Sequence, residues 1–138
     1  MIIKEKIIIE VDSPCIFGYT YSYDDCVKMM VKISNEEVSG NIIGLEHFKD
    51  KSFYKIINPQ MIVDINDDNR TMYVIGDVEF DDKKYTKEEL KMLEELPWRL
   101  AIEGDGDVDK ETNIVKNYEL KKIHIEIIPK ELYNELNS

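Results

Sequence analysis

Hydrophobic residues in this chain recur mostly at every second position, the spacing of strands with one face turned to a core. The clearest case is MIVDINDDNRTMYVIGDVEF. There Met61, Val63 and Ile65 alternate with Ile62, Asp64 and Asn66, and Met72, Val74, Gly76, Val78 and Phe80 alternate with Tyr73, Ile75, Asp77 and Glu79. The NDDNR between the two runs suits a turn, because Asp and Asn side chains bond nearby backbone and tolerate the left-handed conformation. The pattern predicts a β-hairpin with one buried face. Trp98, Leu100 and Ile102 then alternate with Arg99, Ala101 and Glu103, and Ile123, Ile125 and Ile127 with Lys122, His124 and Glu126, giving two further strands. Leu120 is out of phase with the last run, which predicts a bulge near Lys121.

One segment clearly breaks the period of two. Thr86 followed by Glu89 forms a capping box, Leu90, Met92, Leu93 and Leu96 form a stripe, and Pro97 stops it, so a helix is predicted over about 87 to 96. PKELYNELNS permits a short C-terminal helix with Pro129 in its first turn. YDDCVKMMVKI fits two templates. Cys26, Met29, Met30 and Ile33 have helical spacing after a Ser22-to-Asp25 capping pattern, whereas Val27, Met29, Val31 and Ile33 alternate as in a strand. The β-branched valines and isoleucine favour the strand. In FGYTYSY, Phe17, Tyr19, Tyr21 and Tyr23 would share one side of a strand. The expectation is a single α+β domain over residues 1 to 138, with a mostly antiparallel, curved sheet, one clear helix and a short C-terminal one.

Composition agrees with a packed core: 43% of residues are hydrophobic and 34% charged. No apolar run reaches the roughly 18 residues that span a bilayer, and the N-terminal MIIKEKIIIEVDSP lacks the features of a secretory signal, so a cytoplasmic protein without membrane association is expected. Cys15 and Cys26 are too few for a disulfide scaffold and read as free and buried; a bridge would need strands on either side of Tyr19 to Tyr23 to bring them together.

Charge changes the picture most. Of the formal net charge of −11, residues 64 to 111, with 7 basic and 16 acidic side chains, carry −9; residues 1 to 63 carry −2 and residues 112 to 138 carry zero. Such a field repels nucleic-acid phosphates, whose binding needs clustered Lys and Arg. It favours a basic protein partner. Asp81, Asp82, Glu88, Glu94 and Glu95, with the loop residues Asp105, Asp107 and Asp109, are the expected docking side chains. An inhibitor or immunity-type protein that occupies a cationic cleft would need this field.

Rival chemistries fare worse. EGDGDVDKET places Asp105, Asp107 and Asp109 as a calcium loop would, but Lys110 and Lys116 stand where such a loop needs a glycine and a bidentate glutamate. A solvated hairpin connection, made turn-prone by Gly104 and Gly106, is the preferred reading. No metal or cofactor is expected. Only His47 and His124 offer imidazoles, and nothing in the sequence places either beside Cys15 or Cys26, so catalysis is disfavoured and no catalytic residue is assigned. The alternative is a small-ligand-binding protein or enzyme with a pocket in the sheet, lined by Tyr19, Tyr21, Tyr23 and Trp98.

Overall fold

The computed structural model describes residues 1–14, 18–66 and 69–128. Their elements run in the order β1 (Ile2–Glu10), β2 (Thr20–Tyr21), α1 (Tyr23–Asn35), β3 (Ile42–Ile43), β4 (Lys55–Asn66), β5 (Asn69–Glu79), α2 (Lys87–Glu95), β6 (Trp98–Val108) and β7 (Ile114–Ile127), with short 3-10 turns at Glu46–Phe48 and Asp82–Lys84. The α+β class is borne out. One sheet, of order β1-β5-β4, is antiparallel throughout. In the other, β6 and β7 form a long antiparallel hairpin, while β2 and β3 pair in parallel with opposite ends of β7. β1 runs beside β6, and α1 packs on both β4 and β7, so the helix bridges the two sheets. Between them lies a core that includes Met29, Phe48, Ile56, Val74, Leu93 and Ile123.

α1 corrects the expectation of a strand over residues 24 to 33. Ser22 Oγ accepts from the Asp25 amide at 3.2 Å, and the buried Cys26, Met29 and Ile33 fall on one helical stripe. Val27 and Val31, which suggested alternation, lie on the exposed side. The tyrosine row is corrected for the same reason. Only Thr20–Tyr21 is extended and Tyr23 opens α1, so Tyr21 is buried edge-on against Tyr118 (centroids 5.0 Å apart), whereas Tyr19 and Tyr23 are exposed.

α2 forms as predicted, with both bonds of the capping box present: Thr86 Oγ1 accepts from the Glu89 amide, and Glu89 Oε1 accepts from the Thr86 amide at 2.8 Å. The Trp98 indole donates to the Leu93 carbonyl at 2.6 Å, fastening the end of the helix to the start of β6.

The two hairpins differ from expectation in opposite ways. In β6–β7 the bulge stands where it was predicted, because Glu103 faces Lys122 but Gly104 faces Leu120, leaving Lys121 as the extra residue. In β4–β5, Val74, Val78 and Phe80 are buried as expected, but Val63 and Ile65 are not. The β1 ladder stops at Tyr73, and among the described residues no third strand pairs with the hairpin beyond it. Nearer the core, β1 and β4 each carry a bulge at a residue of positive φ, Glu5 (57°) and Asn58 (52°), on either side of Asp77. Asp77 accepts from the Glu5 amide through Oδ1 and from Asn58 Nδ2 through Oδ2, both at 2.9 Å.

Phe17, Cys15, Asp67 and Asp68 of the expected turn, and the expected C-terminal helix lie outside the described residues. Cys26 is a free, buried thiol.

Candidate acidic surface

The eight carboxylates singled out by charge fall into two groups. Asp81, Asp82, Glu88, Glu94 and Glu95 lie on α2 and the turn before it, beside the first residue of β6; Asp105, Asp107 and Asp109 lie at the far end of that strand. Asp105 is seven residues along β6 from Trp98 and Asp109 eleven, so at about 3.4 Å per residue the groups stand roughly 24 to 37 Å apart, several screening lengths at physiological salt. They do not form one continuous face.

The fold employs most of them. Asp105 pairs with Lys121, the residue that the bulge pushes outward, and holds its ammonium above the usual lysine range. Asn117, at φ 55°, donates to Asp107 at 3.2 Å. Asp109 Oδ1 accepts from the Glu111 and Thr112 amides at 2.9 and 3.3 Å and so shapes the turn. Asp107 is therefore a strand residue, and the loop proper begins at Asp109. Gly104 and Gly106 also belong to the strand, and neither has positive φ, which corrects their reading as turn formers. At Gly104 a Cβ would meet the Tyr118 ring at 2.8 Å and press into the Glu119 carbonyl oxygen; glycine is needed there for close approach.

At the α2 end, Asp81 accepts from the Lys83 amide at 3.1 Å, and Asp82 pairs with the Met1 ammonium at 2.6 Å. Glu95 has Lys91 at 4.0 Å, a weak exposed pair. Glu88 and Glu94 are exposed and in no salt bridge among the described residues, so of the eight they are the most open to an outside cation.

Two acids that charge counting passed over are the buried ones. Glu89, read in the sequence only as a helix cap, has Lys51 on Oε2 and His47 Nε2 at 3.4 Å from the same oxygen. The hydrogen bond from Lys51, then that from the Thr86 backbone, hold its carboxyl below the usual range. Burial, followed by the charge of Glu89, pushes the neighbouring Tyr85 hydroxyl up to about 12, and that hydroxyl donates to the Ser52 carbonyl. The capping-box spacing was the available signal for this cluster; Lys51 and His47 come from a segment with no readable period. Asp25 is also buried, with Oδ2 lacking a hydrogen-bond partner among the described residues and Oδ1 at 3.9 Å from Lys28. Next to it, burial, then Asp12 and Asp25, push the Cys26 thiol up to about 12, which keeps it protonated and unreactive at neutral pH.

Both imidazoles have fixed contacts. The Asn41 amide donates to His124 Nδ1 at 3.0 Å, which places the neutral-ring proton on Nε2, 3.0 Å from Glu103 Oε1. His124 thereby joins the segment entering β3 to β7 and β6. His47 packs edge-on to Phe48 beside Glu89. Neither lines a slot of about 240 Å³ between β1 and β6 walled by Ile7, Ile8, Tyr21, Tyr73, Arg99 and Leu100. Of the residues expected around a pocket, Tyr21 is in this slot; Trp98 lies beyond its lining, under the Lys6 ammonium at 3.9 Å from the ring centroid. Tyr23 belongs to a different groove. Among the described residues no cluster of three or more His, Cys, Asp or Glu could hold a metal ion, and no helix is long and apolar enough to cross a membrane.

No protein-family model, curated protein or solved structure matches this chain.

Proposed function

We propose that this chain is a non-enzymatic binding protein that engages a basic protein partner, and that α2 is the centre of its docking surface. The observation that carries this reading is the inequality among the eight singled-out acids: Asp105, Asp107 and Asp109 are occupied by Lys121, Asn117 and backbone amides, while Glu88 and Glu94 are in no salt bridge among the described residues. Charges without internal partners contribute most to steering and specificity. An inhibitor or immunity-type protein that covers a cationic cleft is the narrower form of the proposal, and a cytoplasmic setting accords with it. The test compares two triple variants in capture experiments from native cell extract: E88Q/E94Q/E95Q and D105N/D107N/D109N. The helix variant loses the captured partner and the hairpin variant keeps it, with wild-type capture weakening as salt rises. Equal capture by the helix variant overturns the proposal.

A second reading is a small-ligand site in the β1–β6 slot, supported by its aromatic and aliphatic lining and by bulges that would favour a curved sheet. At about 240 Å³ it is below the roughly 300 Å³ at which ligand pockets begin. Filling it with Ala101→Phe leaves capture unchanged if the first reading holds.

A further inference from the structure

Among the described residues, a run of exposed apolar side chains lies on α1 and β4, away from the β6–β7 hairpin. On α1, Tyr23, Val27 and Val31 succeed one another every four residues on the solvent side, with Tyr23 49% and Val31 52% exposed. A groove of about 360 Å³ separates this stripe from β4, and Met61 forms its other wall. Along β4 the same strand face continues through Val63, 52% exposed, to Ile65, 68% exposed. β4 is also the last strand of its sheet.

The outer edge of β4 is not uniform. At its start the Ile56 amide donates to the Val38 carbonyl, and the bulge at Asn58 followed by Pro59 interrupts any further pairing. From Gln60 to Asn66 the strand is regular, has no proline, and contains one charge, Asp64. Asp64 points to the face opposite Met61, Val63 and Ile65. Such a run, apolar and with an edge that no strand among the described residues pairs, is a template for another strand.

We infer that residues 60–66 of β4 pair with the same residues of a second copy of this chain, antiparallel about a two-fold axis at Val63, joining two three-stranded sheets into one of six. Register follows from geometry. In an antiparallel pair, directly opposed residues share a face, so a two-fold axis must pass through a residue rather than between two. The unobstructed run, 60 to 66, has Val63 at its middle. Val63 then meets Val63 of the second copy and Met61 meets Ile65, while Asp64 lies opposite Ile62 on the outer face. The α1 stripes flank the axis on the same side and close over the groove.

The area is adequate. Tyr23, Val27, Val31, Val63 and Ile65 together expose on the order of 450 Å², within the roughly 300–600 Å² of the largest, often functional, patch on a monomer. Seven residues of strand edge bring the total toward the roughly 800 Å² per partner of a stable interface. Of the acids assigned to partner docking, none lies on β4 or α1, so this surface and the α2 surface are independent.

Sedimentation equilibrium on the full chain, from about 1 to several hundred micromolar, tests the inference. The wild type reaches a dimer within that range, and Val63→Lys remains monomeric at the highest concentration with an unchanged far-ultraviolet circular dichroism spectrum. Val63→Cys, in a Cys15→Ser background, forms a disulfide-linked dimer under mild oxidation; Ile65→Cys alone does not, but does so when mixed with Met61→Cys. A wild type that stays monomeric, a dimer that survives Val63→Lys, or a dimer in which Val63→Cys fails to cross-link overturns the inference.

Discussion

The two long hairpins have similar lengths and opposite logic. In β6–β7 the aspartates near the tip are each used by a neighbour, and the inner face is occupied by Tyr118, Leu120 and Val115 against the rest of the fold. In β4–β5 the inner half is built as carefully, around Val74, Val78 and the Asp77 brace, but its outer half leaves Val63 and Ile65 in water. A hairpin whose side chains satisfy one another is finished within the chain. One that exposes aliphatic residues along an open edge is complete only with something outside it.

The contrast can be broken at several points. Gly104→Ala has the largest expected effect, because a methyl group there meets the Tyr118 ring at 2.8 Å and the Glu119 backbone, which cannot move aside. We expect a loss of about 3 kcal/mol in urea unfolding, at the upper end of overpacking costs. A loss under 1 kcal/mol would mean that β6–β7 is looser than described. Asp77→Asn is next, at about 1 kcal/mol near neutral pH, since the amide keeps the shape but weakens both bonds. Its pH dependence gives the sharper result. The hydrogen bond from Asn58, then that from the Glu5 backbone, lower the Asp77 pKa in the folded protein. Its contribution is therefore present above the unfolded aspartate value of about 4 and lost as pH falls through the lower folded value. Asp77→Asn narrows its gap to wild type in that acid window, whereas a gap constant from pH 7 to pH 2 refutes the brace. Ile65→Ser, measured near 1 µM, changes stability by no more than about 0.5 kcal/mol, because its side chain supports nothing within one copy. A larger loss would place Ile65 in the monomer's own core.

Much of this fold was legible in the order of residues. Thr86, Glu89 and Pro97 mark α2 because caps and stops are local, and the phase shift at Leu120 marks the bulge because strand period is local too. α1 was misread where the local signals conflict: Val27 and Val31 are β-branched, but their preference matters less than burial of Cys26, Met29 and Ile33 on the other side. For β4 the alternation itself is present, yet a period says which residues share a face and not whether another element covers it. The candidate surface was legible only as a sum of charge. Which acids remain open depends on Lys121 being displaced by a bulge and on Asn117, at a second irregularity beside the Asp107–Lys116 pair, reaching Asp107, and both follow from register. The buried Glu89 was visible as a cap, while its contacts with Lys51 and His47 join segments 38 and more residues apart.

Asp77 has one more effect, on how the sheet comes apart. Because its two oxygens hold irregular turns in the strands on both sides, detaching either neighbour disturbs the anchor of the other. The three strands should therefore open as one cooperative unit, with amide protons of the first and fourth strands exchanging at matched rates. Once that carboxylate is replaced, the terminal strand is free to fray alone.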